Sequence, residues 1–438
     1  MAHPVAPQFA TSRREFLKSS SLAAAGTGAL GTLGLLPGAF AASDDTIRIG
    51  LIGCGGRGSG AARQALSTEG NVKLVAMGDA FPWQLEQSLA GLKREMADRP
   101  GRVAVDDDHK FVGLDAYQKV LSSGVDLVIL ATPPGFRPVH FEAAVKAGKH
   151  IFMEKPVAVD APGVRQVLAA ADESKKKNLA VGVGLQRHHQ AVYLETIKRL
   201  KDGAIGDIHT MRAYWNSRGV WNRDRKSGMS EMEYQVWNWY YFTWLSGDHI
   251  VEQHIHNLDV INWLKGAYPV SAQGQGGRQV RTGHEFGEIY DHHYVEFEYA
   301  DGSRMFSQCR HADNCWSSVS EHAQGSKGAA NISDGIITNG TDSWKYRGPK
   351  SDPFQVEHDD LFASIRAGTP INEAHYGAMS SMTAILGRLC TYSGQMIEMK
   401  DALASNISLQ PKEYNFKSDA PVHPNADGSY PIAIPGLT

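Results

Sequence analysis

From residue 47 to about 180, continuous apolar runs alternate with amphipathic ones. "IRIGLI" runs straight into "GCGGRG", and "SGAARQALST" behind it continues as a helix. "VKLVAMGD" is a second strand that ends at Asp79. "VDLVILATPP" at 125–134 is the unbroken apolar run expected of a parallel strand buried on both faces. The helix "RPVHFEAAVKAGK" and the strand "HIFMEKPVAV" follow. Strands alternating with helices predict a doubly wound parallel sheet. Residues 88–113, including "REMADRPGRVAVDDDHK", are charged and irregular and read as an elaborated surface segment.

Beyond about residue 168 the pattern changes. "LAVGVGLQRHH" reads as a strand ending in a polar cluster, "QAVYLETIKRLKDG" as a helix and "GDIHTMRAYWN" as another strand. Residues 214–244 hold a dense aromatic stretch. "HHYVEFEYADGSRMFSQCRH" reads as an antiparallel hairpin through Asp301-Gly302. "VEHDDLFASIRAG" and "GAMSSMTAILGRLCTYSG" are helices, and from about 406 the chain becomes an extended, proline-containing tail. The expected class is α/β, with a doubly wound parallel sheet over 46–168 and an α+β domain with a large, mostly antiparallel sheet over 169–405. The last helices of that second domain are expected to pack back on the first, and 406–438 forms the tail. An open antiparallel sheet with an aromatic face is easily paired, so a homo-oligomer is expected.

Residues 1–41 belong to neither domain. "TSRREFLKSS" is followed by an uncharged stretch rich in Ala and Gly, then Pro37 and Ala39-Phe40-Ala41. The stretch has no clean helical stripe and too many glycines for a membrane span. A charged leader, a modest apolar run and an A-x-A site read as a signal peptide, with the mature chain beginning near Ala42. "SRREFLK" resembles the twin-arginine export signal, which implies the Tat translocase as a partner and a periplasmic or secreted protein exported folded. The 438-residue chain carries a formal net charge of −3 and is 42 % hydrophobic, which suits an ordinary globule and argues against nucleic-acid binding. No later run reaches membrane-spanning length. Of the four cysteines, Cys309 and Cys315 are close in sequence, and separate buried thiols are expected rather than a disulfide.

Three features carry chemistry. The first is the loop Gly53, Gly55, Gly56, Arg57, Gly58, placed after a strand and before a helix, with Asp79 ending the next strand. Its glycines allow a tight turn and close approach of a pyrophosphate to an uncapped helix start. Asp79 would accept hydrogen bonds from both ribose hydroxyls and repel a 2′-phosphate, so NAD is favoured over NADP. The second is Glu154-Lys155-Pro156, which with Thr132 and Pro133 falls at strand carboxyl ends, where ligands of such sheets bind. The third is "GDHIVEQHIHNLDVINWLKG", 247–266, read as one helix. There Glu252, His256 and Asp259 share a face at i, i+4 and i+7, beside an apolar stripe of Val251, Ile255 and Leu258. His249, Glu252, His254 and His256 could ligate zinc only on a non-helical backbone, so no metal is expected.

Together these features resemble the Gfo/Idh/MocA family of NAD(P)-dependent sugar and polyol oxidoreductases. The resemblance runs over most of residues 46–400, through the glycine loop, Asp79, "ATPP" with His140, "EKP", and "Gln186-Arg187" after a strand. It implies a Rossmann domain whose cofactor contacts also include His140, Glu154, Lys155 and Gln186. It implies Lys155 as a substrate and cofactor contact, His256 as general base, and Glu252, one methylene longer than the usual aspartate, as the group orienting His256. Arg187, Trp221, Tyr241 and Asp259 are the substrate-contact candidates, since sugar faces pack on Trp and Tyr. His254 stands where glycine is common, and Pro134 where asparagine is. The expected activity is oxidation or reduction of a sugar, glycoside or polyol hydroxyl with tightly bound NAD. An NAD-dependent glycosidase working by transient oxidation, elimination, hydration and re-reduction is the alternative, and a non-catalytic sugar binder the third reading. Because twin-arginine transport carries folded proteins, the cofactor is expected to be loaded before export and recycled in place.

Overall fold

The computed structural model describes residues 45–437. The leader and its paired arginines lie outside the described residues. Strands β1 (Ile47–Ile52), β2 (Val72–Asp79), β3 (Lys110–Val112), β4 (Leu127–Leu130), β5 (His150–Met153) and β6 (Val181–Val183) form one sheet in the order β3-β2-β1-β4-β5-β6. Every ladder in it is parallel. The order reverses between β1 and β4, and that reversal opens the crevice in which doubly wound sheets bind ligands. β4 is buried along its whole length, as its unbroken Leu-Val-Ile-Leu run requires.

Two boundaries differ from the sequence reading. Residues 88–113 are not merely surface: the helix Pro82–Glu95 takes the first part, and β3 closes the sheet edge beside β2. Three residues are too few to show a period, so β3 left no signal. The sequence pattern places β6 in the second domain, yet it pairs with β5 as the sixth parallel strand.

The second sheet contains β7 (Ile208–Ser217), β8 (Ser271–Gly277), β9 (His292–Glu298), β10 (Arg304–His311), β11 (Ser318–Gly325), β12 (Ala329–Asn331), β13 (Ile336–Asn339), β14 (Asp342–Lys345) and β15 (Ile397–Glu398). Its order is β14-β13-β12-β11-β7-β10-β9-β8-β15, antiparallel except where β10 runs beside β7. The β9–β10 hairpin forms as expected from its alternation. The helix Pro353–Arg366 returns to the first sheet, where Leu361 and Phe362 join Ile49, Leu127 and Phe152 in one core. Each such side chain removed from water contributes about 1.5–3 kcal/mol. The helix Ala374–Ser393 lies between the sheets, with Gly377 against Val183 of β6 and Gly387 against Phe297 of β9.

The predicted helix 247–266 is two pieces, His249–Glu252 and Ile255–Lys265, separated at Gln253 and His254. The first begins at Asp248, whose φ is 78°. Cys309 is buried and Cys315 exposed, and both are free thiols. The tail is threaded back over the body: Asp160 Oδ2 accepts the Leu409 N–H at 2.8 Å, and Tyr290 Oη donates to the Ala433 carbonyl at 2.9 Å. Among the described residues, no helix is long and apolar enough to cross a membrane.

Candidate active site

The loop after β1 is set by two different kinds of glycine. A Cβ on Gly58 would lie 1.9 Å from the Gly53 carbonyl oxygen, so this glycine is needed to pack the helix start on the loop. A Cβ on Gly56 would meet no protein atom within 4 Å. The helix Gly56–Ser67 has Gly55 at its N-cap and no side chain capping it. Open space over uncapped N–H groups is what a pyrophosphate requires. Asp79 is held at the mouth of this loop by the Cys54 and Phe81 N–H groups, at 2.6 and 2.9 Å. Burial pushes its carboxyl above the ordinary value, opposed by those donors and by Arg223. Gly53, Gly55, Asp79, Thr132, Pro133 and His140 line one cleft. Its His140 stacks on Tyr117 with centroids 4.3 Å apart and lies 3.2 Å from Thr132 Oγ1 through Nδ1. These residues fit a dinucleotide.

The cleft continues past Ala131 and Thr132 to Lys155, Glu252 and His256. The Arg137 guanidinium anchors this floor. It is buried and donates to the carbonyls of Leu130 (2.6 Å), Thr132 (2.6 Å) and Glu154 (3.0 Å), tying together the ends of β4 and β5. Arg57 Nε pairs with Glu154 at 2.9 Å and its guanidinium covers Phe354. Lys155 Nζ donates to Glu252 Oε1 at 2.9 Å and to the Glu252 carbonyl at 2.7 Å. His256 stacks beside Trp215 at 6.0 Å, and its Nδ1 is buried with no hydrogen-bond partner among the described residues. Burial, then the charges of Lys155 and Arg187, hold its pKa well below the usual histidine value. His256 is therefore a neutral imidazole at working pH, available to take a proton.

The site corrects several expectations. Glu252 does not orient His256; its carboxylate pairs with Lys155, because the chain breaks at Gln253 and the i, i+4 relation is lost. Asp259 is buried behind the site, between His188 Nε2 at 2.8 Å and Ser380 Oγ at 2.7 Å. Arg187 is buried against Glu321, which also takes the Tyr193 hydroxyl. The Tyr241 hydroxyl is turned away to the Val220 and Trp221 carbonyls, and Tyr240 lines the cleft instead. Gln186 is in the turn after β6, outside the cleft lining. His249, Glu252, His254 and His256 do not converge: His254 reaches Ser307 at 2.7 Å while His256 faces the cleft. Trp221 lies in the cleft wall with Trp215 and Trp239.

Family profiles match this chain in two places. The oxidoreductase family, NAD-binding Rossmann fold, profile of Gfo/Idh/MocA matches residues 47–183, and the Gfo/Idh/MocA C-terminal domain profile matches 193–331. The chain belongs to the Gfo/Idh/MocA oxidoreductase family. The inositol 2-dehydrogenase of Ralstonia nicotianae is 30 % identical over 59 % of this chain and 66 % of its own length. That of Rhizobium meliloti is 26 % identical over 73 % and 86 %. Among solved structures, the aldose-aldose oxidoreductase of Caulobacter crescentus superposes with a TM-score of 0.63 at 18 % identity, over 81 % of this chain and 99 % of that one. The cofactor of this Gfo/Idh/MocA chain is a nicotinamide dinucleotide, and the cleft from Gly53 to His140 is shaped for it.

Sequence reasoning missed Arg137, Trp215, Arg223, Trp239, Tyr240 and Gln253 of this Gfo/Idh/MocA cleft. Arg137 could have been found, since an arginine opening a helix after a buried strand is placed beside unpaired strand-end carbonyls. The aromatic residues could not be separated: nothing in "WNWYYFTW" distinguishes a wall from a core.

Proposed function

We propose that this chain is an exported NAD-dependent oxidoreductase acting on a hydroxyl or keto group of a sugar, glycoside or polyol, and that it keeps its cofactor between turnovers. The observation that carries the reading is the convergence of Lys155, its partner Glu252 and the neutral His256 on one aromatic-walled cleft next to the dinucleotide loop. A bound nicotinamide would supply the hydride acceptor or donor. His256 takes the hydroxyl proton during oxidation and returns it during reduction. The Lys155 ammonium stabilises the alkoxide that develops on that oxygen, and Glu252 holds the ammonium in place. Trp215, Trp221, Trp239 and Tyr240 offer apolar faces to a sugar ring. Asp79 at the ribose position supports NAD over NADP, and the open face of the second sheet, which carries Tyr214 and Tyr294, supports a second copy as partner.

Retention of the cofactor is supported by what surrounds the nucleotide end. Arg223, from the second domain, lines that cleft, sandwiched between Trp221 and Trp237 at 4.3 and 4.2 Å. The same enclosure favours a second reading, redox-neutral cleavage of a glycoside, in which the hydride returns to the sugar before release. The test is to purify the protein without added nucleotide and record its spectrum with a panel of polyols, sugars and glycosides. Appearance of the reduced-nicotinamide band on one class supports the dehydrogenase reading. Glycosidic cleavage without an external acceptor establishes the redox-neutral one. A cofactor-free protein that needs millimolar-range NAD overturns retention.

A further inference from the structure

Behind the cleft, the segment that delivers Glu252 begins at two wholly buried residues, Asp248 and His249. Asp248 adopts φ 78°, a conformation unfavourable to a residue with a Cβ. Its Oδ2 accepts the Tyr290 N–H at 2.9 Å and the Tyr392 hydroxyl at 2.5 Å. Its Oδ1 lies 2.8 Å from His249 Nδ1 and 3.3 Å from His293 Nε2. Those are contact distances without direction: among the described residues neither nitrogen has a hydrogen-bond partner, nor has His249 Nε2. Thr391 Oγ1 lies 3.0 Å from the helix carbonyls of Gly387 and Arg388 and 2.9 Å from His293 Nδ1. When the hydroxyl gives its proton to a carbonyl, His293 carries its own proton on Nδ1 and turns the Nε2 lone pair toward the carboxylate, an arrangement that a cation against both would stabilise. Cys309 stands directly opposite His293 in the β9–β10 ladder.

We propose that Asp248, His249 and His293 bind a divalent cation of the zinc class. Their ligand atoms lie within 4.8 Å of one another. One carboxylate oxygen and two imidazole nitrogens form a donor set that suits zinc, with a fourth position left to water, and disfavours magnesium or calcium, which take oxygen ligands. The carboxylate and one imidazole are held from behind by Tyr290, Tyr392 and Thr391, as metal ligands are. The ion would not meet substrate. It would fix the turn from which the Asp248 carbonyl accepts the Glu252 N–H at 2.9 Å, and so position the partner of Lys155.

The full chain, expressed with zinc in the medium and purified without chelator, is expected to hold about one zinc per chain by elemental analysis. His293→Ala and His249→Ala should each lower that content, whereas Cys315→Ser, which removes an exposed thiol, should leave it unchanged. Exchange with cobalt should give the visible bands of a four-coordinate ion, lost in His293→Ala. Chelation of the wild-type protein should lower Tm, and zinc should restore it. Folded wild-type protein with metal at background level and a Tm indifferent to added zinc would mean that a proton occupies the cluster, and the proposal falls. Metal content unchanged in both His293→Ala and His249→Ala overturns it equally.

Discussion

Lys155 and His256 approach the cleft from different parts of the chain, and each is expected to be needed for a separate reason. His256→Ala removes the proton acceptor and should lower kcat/KM by roughly 10²–10⁴-fold while cofactor content stays that of the wild type. Lys155→Met should lower it at least as far; substantial activity in both variants would show that the chemistry lies elsewhere. Because burial, Lys155 and Arg187 depress the His256 pKa, its base form persists well below pH 6.5. The acid limb of kcat/KM is therefore expected below the ordinary histidine range, and a limb centred at the ordinary value would contradict the assignment. Stability follows the same sign at other buried histidines. His140 is lowered to about 3 by burial and Arg137, and His358 lies well below its usual value through burial, Arg57 and His189. The folded state leaves both unprotonated where the unfolded chain binds protons. Their contribution is complete above pH 6.5 and is lost as pH falls below it, by about 1.4 kcal/mol per unit for each histidine. Denaturant titrations at pH 7 and 5.5 should show this slope, and His358→Gln should lower it by about one proton. At this scale a short motif was enough to bring Lys155 and His256 to one cleft. Asp259 and Arg187 were misplaced because what holds them lies far along the chain, at His188, Ser380 and Glu321.

The glycine loop and its helix were readable as an element because strand, turn and helix each impose a local pattern. The structure divides the loop's glycines by role, and that division can be checked. Gly58→Ala places a methyl against the Gly53 carbonyl, and overpacking of this kind costs typically 1–3 kcal/mol. It should lower Tm of the cofactor-free protein. Gly56→Ala meets only open space and should leave that Tm unchanged while weakening dinucleotide binding. Equal effects of the two on the cofactor-free protein would show that Gly56 is also a packing residue. The 247–266 segment is the opposite case. Its apolar spacing fits one helix, and "GDHIVEQHIHNLD" has neither proline nor an internal glycine after Gly247 to signal a break. The break comes from tertiary contacts: Asp248 is drawn to Tyr290 and Tyr392, His254 to Ser307, and the turn between them carries Glu252 to Lys155. Periodicity reports which face is buried, not which distant group a side chain is drawn to.

The whole molecule wraps the nucleotide end of the cleft with parts that are remote in sequence. Phe81, two residues after Asp79, stacks on Trp83 at 4.8 Å and on Phe416 of the tail at 5.6 Å, and meets the edge of Trp237 at 5.6 Å. Lys226 Nζ sits over Trp83 at 3.7 Å, and Ser230 Oγ donates to the Phe416 carbonyl. The Asp79 loop, the 220–240 segment and the tail are thereby joined in one aromatic cluster. A dinucleotide seated at Asp79 would lie beside this cluster. If the proposed cofactor retention arises here, loosening the cluster should speed release without touching the chemistry. Phe416→Ala removes one stacked ring, and such a pair is worth about 0.5–1.5 kcal/mol, so release should quicken roughly two- to tenfold. The rate can be followed by the fluorescence of reduced nicotinamide on dilution into excess NAD. Turnover of enzyme already loaded should change little, since Phe416 is remote from Lys155 and His256 in the cleft lining. The two measurements separate cause from consequence: faster release with intact single-turnover chemistry assigns retention to the wrap. Unchanged release from Phe416→Ala would place the barrier in the dinucleotide loop itself, and the tail would then serve the fold alone.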